Sequence, residues 1–229
     1  MSTTLYGLAR IGRDAELRNT AQGEAVANLS LAFNYGRKGS DGKTPTQWVD
    51  GALWGKRAEA LAQHLRGAGL AAILSSDLPR ALATAQAIGR ACGLPVATTA
   101  LLHERNFGDL RGQRYDDLDH DPLSAEAAPP GGESRAEFQA RCRAAWAEIC
   151  RHQALAGGSL AVVTHGLVIR DWLHGGPLLL PAGTPPPDRL GNTSLTEADA
   201  TPPHQVHRLD DTRHLQGIAP DRADALSGG

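Results

Sequence analysis

Lysine disappears from this chain after residue 56. Lys38, Lys43 and Lys56 are the three lysines, and residues 57–229 carry sixteen arginines and no lysine. Charge changes at the same place: residues 1–56 hold seven basic and five acidic side chains, residues 57–229 sixteen and twenty. A seam near residue 57 is therefore visible before any motif is read. The net charge of −2 argues against a polyanion binder built from the whole chain, but not against one confined to its first part. Long apolar runs are missing too. None approaches the ~18 residues that span a bilayer, and no charged-then-apolar leader opens the sequence, so a cytoplasmic protein without a membrane partner is expected. Cysteine is scarce, at three residues. Cys142 and Cys150, eight apart in an expected helix, would stand roughly 12 Å apart along its axis, which excludes a disulfide between them. Reduced packing residues are expected instead. Neither a metal site nor a cofactor is expected.

The first part has the rhythm of β structure. "TTLYGLARIG" (3–12) and "AVANLSLAFNYG" (25–36) are apolar, partly alternating runs separated by the polar "RDAELRNTAQGE", which reads as two strands and a turn. In "TQWVDGALWG" (46–55), Trp48, Asp50 and Ala52 alternate with Val49, Gly51 and Leu53, as a third antiparallel strand requires. Aromatic residues make up only 4% of the chain, yet Phe33, Tyr35, Trp48 and Trp54 lie close to Arg37, Lys38, Lys43 and Lys56. Interleaved rings and cations suit single-stranded nucleic acid, where bases stack and phosphates are neutralised. The same rings could equally fill the core of a small barrel.

"GLARIGRDAELR", "GEAVANLSLAFNY" and "TQWVDGALWGKRAEALA" together resemble the first half of bacterial and phage single-stranded DNA-binding proteins, over residues 1–62. The resemblance implies an OB-fold, with Tyr35, Trp48 and Trp54 at base-stacking positions and Arg37, Lys38 and Lys56 near the DNA face. It also implies two further barrel strands after "GKRAEALA". The sequence turns elsewhere there, which leaves a truncated antiparallel segment with open edges.

From residue 57 helix and strand alternate. "RAEALAQHLRGAG" is an amphipathic helix ended by Gly67 or Gly69, and "LAAILSS" (70–76) a buried strand. Asp77 is a candidate N-cap for a helix with Pro79 in its first turn that reaches about Cys92, and "PVATTALL" follows as a strand. "SRAE" (134–137) is a capping box opening a helix to about His152, and "SLAVVT" (159–164) is a strand ending at His165. "GGPLLLPAGTPPPD" is a loop, "SLTEA" and "QVHRLD" are edge strands, and residues 218–229 form a frayed tail. This order predicts an α/β sandwich with a mostly parallel sheet.

Three positions in this part invite chemistry. Arg80 sits in the first turn of a helix after a strand, where a guanidinium and free backbone N–H groups can share a phosphate. His165 ends a strand before a helix, the sheet edge where open α/β folds place ligands. Glu104 becomes a general acid if burial raises its pKa. Each alone reads also as an ordinary residue: a surface ion pair, a packed histidine, a solvated carboxylate.

"SSDLPRALATAQAI", "LLHERNFGDLRGQRYDDL", "PPGGESRAEFQARC" and "LAVVTHGLVIRDWL" resemble the histidine phosphatase superfamily, with its phosphoglycerate-mutase-like three-layer sandwich, over residues 57–217. The resemblance implies a hydrolase acting on a phosphorylated small molecule. It assigns Arg80 and His165 to the phosphate, Glu104 to acid–base work, and Gly132, Glu133 and Ser134 to a loop bordering the substrate. It also implies a first, central strand ending in Arg-His-Gly, whose histidine is the nucleophile. That tripeptide occurs nowhere in the chain; the nearest look-alike is Arg10-Ile11-Gly12. The chain thus reads as a chimera, an OB-type head (1–56) joined to a phosphatase-like body (57–217) without its first strand. Impaired catalysis is the expectation, and weak DNA binding the alternative. One structural repair is conceivable: "TLYGLARIG" could fill the central position.

Overall fold

The computed structural model describes residues 56–111 and 121–218 in full. Before them it describes the backbone of four strands: β1 (Arg10–Ile11), β2 (Glu16–Asn19), β3 (Ala25–Asn34) and β4 (Thr46–Trp54). The chain divides into two compact units, Met1–Gly55 and Lys56–Gly229.

The first unit is antiparallel throughout. Strand β3 takes β1 and β2 along one edge, with Ile11 opposite Leu31 and Leu17 opposite Ala27, and β4 along the other, from Val26 opposite Trp54 to Asn34 opposite Thr46. An antiparallel β segment is what was expected here. Two readings change. Glu16–Asn19 lies inside the stretch expected to turn, yet it is paired strand, because a ten-residue neighbour supplies ladder hydrogen bonds that override its polar composition. Arg10 and Ile11 belong to this antiparallel sheet, so they do not fill a central position in the second unit; residues 4–9 of the same run lie outside the described residues.

The second unit runs α1 (Lys56–Leu65), β5 (Leu70–Ser75), α2 (Pro79–Cys92), β6 (Val96–Thr98), α3 (Arg135–Ala156), β7 (Ser159–Val163), α4 (Gly166–Leu173), β8 (Leu195–Ala198) and β9 (Val206–Asp211), with 3-10 turns at Ala100–Leu102, Gly108–Leu110 and Arg213–Leu215. Strands β6, β5 and β7 form a parallel sheet in that order, while β8 and β9 pair antiparallel. Alternation along β5 makes the layers. Ile73 joins Leu61, Leu65, Ala85 and Ile88 of α1 and α2, whereas Leu74 joins Phe138, Cys142, Ala145, Val168 and Trp172 of α3 and α4. Helices thus cover both faces of the sheet, which is the mixed α/β sandwich expected.

Several boundaries repay attention. Asp77 does not cap α2: the N-cap is Leu78, without a side-chain bond, and Asp77 meets His103 instead. "PVATTALL" is strand only over Val96–Thr98, because the Thr99 hydroxyl accepts the Leu101 N–H and starts a 3-10 turn. Ser134 and Glu137 form the reciprocal capping box of α3, which outruns the expected His152 by one turn and stops where Gly157 turns left-handed at φ 66°. Cys142 is buried, but Cys150 is exposed and so is not the packing residue expected. The tail beyond residue 218 lies outside the described residues. Among those described, no helix is long and apolar enough to cross a membrane.

Candidate phosphate site

Parallel strands place the N-termini of their following helices along one sheet edge. At that edge β5 runs into Ser76, Asp77 and α2, and β7 runs into Thr164, His165 and α4. Two bonds tie the region together: Ser76 N–H donates to Val163 O at 2.9 Å, and the Thr164 hydroxyl donates to Leu102 O at 2.9 Å. The second brings the loop carrying Glu104 to the end of β7.

Glu104 is buried, with 7% of its surface exposed. Its Oε1 accepts the Arg105 N–H at 3.0 Å, and its Oε2 accepts the Leu167 N–H, in the first turn of α4, at 3.2 Å. Burial pushes its pKa up, and the two backbone bonds and the charges of Arg80 and Arg141 only partly offset that. A carboxyl held above its ordinary value is shifted toward the protonated form that a general acid uses.

His165, the N-cap residue of α4, is equally buried. Its Nε2 lies 2.9 Å from Ser76 Oγ, which itself accepts the Leu78 N–H at 3.2 Å. Burial, then the positive charges of Arg80, His103 and Arg141, lower its pKa to about 3. At neutral pH the ring is uncharged. The Ser76 hydroxyl, its oxygen engaged by Leu78, is placed to donate its proton to Nε2. Arg80 is exposed in the first turn of α2, and its charge acts on both Glu104 and His165. The expected trio of Arg80, Glu104 and His165 therefore shares one electrostatic neighbourhood.

The loop residues are placed as braces. Gly132 N–H donates to Pro129 O, Glu133 N–H to Asn106 O, and Asn106 N–H to Glu133 Oε2 at 2.9 Å, while Ser134 caps α3. A Cβ on Gly132 would stand 2.6 Å from Asn106 O, so the close approach needs glycine.

Arg141 was not singled out in the sequence, although it organises this site. It donates to Glu133 Oε1 and Oε2 at 2.7 Å each, and to the carbonyls of Leu101, His103 and Glu104 at 3.0, 2.7 and 3.1 Å. These five bonds use all five N–H donors and fix the loop that carries Glu104. Burial raises the Glu133 pKa, but the Arg141 bonds, the Asn106 amide and the nearby positive charges together leave it lowered. A signal was present: 141 falls at helical spacing among the buried 138, 142 and 145, an arginine on an apolar face. Ser76 and the Asp77–His103 pair were missed as well.

Of the residues expected to meet DNA, Tyr35, Arg37, Lys38 and Lys43 lie outside the described residues. The backbones of Trp48 and Trp54 sit on β4 opposite Ala32 and Val26, and Lys56 begins α1, exposed. Among the described residues no group of His, Cys, Asp or Glu is arranged to hold a metal ion.

A parallel sheet covered by helices on both faces thus gathers a buried carboxyl, a neutral histidine and an arginine at its C-terminal edge. The sequence model of the histidine phosphatase superfamily (branch 1) matches residues 55–211, and the chain belongs to that superfamily. A second family model, for single-strand binding proteins, matches residues 2–73. The two matches overlap across α1 and the start of β5.

Among curated relatives, the probable phosphoglycerate mutase GpmB of Yersinia pestis is 34% identical over 153 residues, covering 63% of this chain and 70% of that protein. A solved complex of a mycobacterial glucosyl-3-phosphoglycerate phosphatase with inorganic phosphate is 28% identical, covers 69% of this chain and 86% of its own, and superposes with a TM-score of 0.54. The alpha-ribazole phosphatase of Shigella flexneri has the same fold, at a TM-score of 0.55 and 22% identity, over 68% of this chain and 81% of its own.

Proposed function

We propose that residues 57–217 form a histidine-phosphatase domain that binds phosphate or a phosphorylated small molecule through Arg80 and His165, with Glu104 as its proton donor, and that turns the ester over poorly. The observation that carries this reading is the shared neighbourhood of a carboxyl raised in pKa, a histidine held neutral and the Arg80 charge. Phosphate meets an arginine and the N–H groups at the starts of α2 and α4. In the superfamily's chemistry an imidazole nitrogen bonds phosphorus as the ester P–O bond breaks, and a glutamate protonates the leaving oxygen. Here Glu104 is present and the Arg-His-Gly nucleophile is not. His165 is a poor substitute, because its Nε2 is engaged by Ser76.

Calorimetric titration with inorganic phosphate tests the binding half. Arg80→Ala should weaken binding by about tenfold or more. Binding unchanged by Arg80→Ala would refute this assignment of the site.

The match of residues 2–73 to single-strand binding proteins supports a second reading, in which residues 1–56 bind single-stranded DNA. With two barrel strands missing, that binding is weak and lost with salt, since phosphate neutralisation carries most of the affinity.

A further inference from the structure

By its packing β7 is an interior strand. Ala161 and Val163 lie against the α1/α2 cluster, and Leu160 and Val162 against the α3/α4 cluster, the two-sided burial found inside parallel sheets. Yet among the described residues β7 pairs only with β5. Its four apolar residues are only half-buried, while Ile73 and Leu74 on β5 are 2% and 1% exposed.

A second incomplete edge sits on the same core. The β8–β9 hairpin is held against α1, where Arg57 donates to Asn192 O at 2.8 Å and the rings of His64 and His214 lie 5.6 Å apart. The far side of β9 is engaged, since Val206 N–H donates to Leu179 O at 2.8 Å and Leu179 N–H to His204 O at 3.1 Å. The open side of the hairpin is therefore that of β8. Leu195 of β8 packs on the same α1/α2 cluster as Ala161 and Val163 of β7, but no pairing joins the two strands. Among the described residues, two unpaired edges on one core leave a place for one more strand.

We propose that the edges of β7 and β8 form an acceptor slot for a single extended apolar strand supplied by another polypeptide and running parallel to β7. Its chemistry follows from its surroundings. The ladder offered by β7 is five residues long, and helices cover both faces of the sheet, so the occupant carries about five consecutive β-branched or other apolar residues rather than an alternating pattern. Parallel to β5 and β7, its C-terminal end arrives beside Glu104 and His165. Backbone pairing supplies the affinity, as in other cases of strand addition to an open edge.

The full chain and a synthetic peptide of five Val and Ile residues followed by Arg-His-Gly provide the test. Amide exchange is read at Leu160–Val163 and Leu195–Ala198. With saturating peptide, exchange should slow at least about tenfold at both strands, and a peptide with proline at its centre, which cannot complete the ladder, should slow neither. The slot is overturned if only one strand or neither is protected, if the proline peptide works equally well, or if the free chain already protects β7 and β8 as strongly as β5. A second arm rests on the proposed function. Bound peptide brings a histidine whose nitrogen can take the phosphoryl group as the ester P–O bond breaks, with Glu104 protonating the leaving oxygen and water then cleaving the N–P bond. Turnover of an aryl phosphate with the Arg-His-Gly peptide, and none with an Arg-Ala-Gly version that protects equally, is expected. Protection of both strands without turnover would uphold the slot and count against the reading of the pocket.

Discussion

The two units handle their strand edges in opposite ways. In the first, β3 is a ten-residue spine paired along both sides; in the second, among the described residues, the parallel sheet ends at β7 and a separate hairpin pairs β8 with β9. Yet the second unit carries the buried core and the polar groups that hold a site. The loops at the end of the parallel sheet can therefore be fixed by bonds that do not depend on strand pairing beyond β7. Here Arg141 supplies those bonds.

The sharpest way to break that contrast is to remove Arg141. Arg141→Ala strands the Glu133 carboxylate and three carbonyls, and should cost the second unit about 3–5 kcal/mol, read as a shifted urea midpoint by the emission of Trp146 and Trp172, whose rings meet at 5.3 Å. Arg141→Lys should recover little, because a single ammonium cannot serve five acceptors in a plane.

Next in size is the pH response of the site. His165 has its pKa lowered from 6.5 to about 3, so between those values the unfolded chain binds the extra proton and stability falls as pH falls, with no loss above pH 6.5. Glu104 acts the other way: its raised pKa favours the folded state below its ordinary 4.5, and that contribution is lost as pH rises through the folded value. Wild type and His165→Gln should therefore differ in the change of unfolding free energy from pH 7 to pH 5 by about 2 kcal/mol, the variant lacking the His165 loss. Parallel slopes would mean that His165 is not held neutral.

A smaller effect probes the loop. Ser134→Ala removes the cap of α3 and should cost about 1 kcal/mol in thermal or urea unfolding. Smallest is Asp77→Ala. The Asp77–His103 pair is half-exposed, so its loss should change stability by about 0–1 kcal/mol while letting the His165 pKa move, followed by NMR titration.

What could be read from residues alone divides along similar lines. The layered α/β body and the capping box at Ser134 rest on local patterns that tertiary packing did not overrule, whereas the end of α3 lay a turn beyond the expected His152. Strand β2 was not legible, since Glu16–Asn19 has a single apolar residue, Leu17, among polar ones and becomes strand only by pairing with β3. Nor was the capping of α2, because Asp77 found a partner 26 residues away in His103. What Arg141 binds was hidden for the same reason, although its place on an apolar helix face was a signal. Its importance lies in carbonyls some 40 residues earlier in the chain, which no local spacing discloses.

The central claim is an anion pocket without its nucleophile, and turnover of a generic aryl phosphate by the purified full chain tests it most directly. The account predicts release of the aryl alcohol at the rate of the buffer alone, with no difference among wild type, His165→Ala and Glu104→Ala. Hydrolysis by the wild type that both substitutions abolish would contradict it.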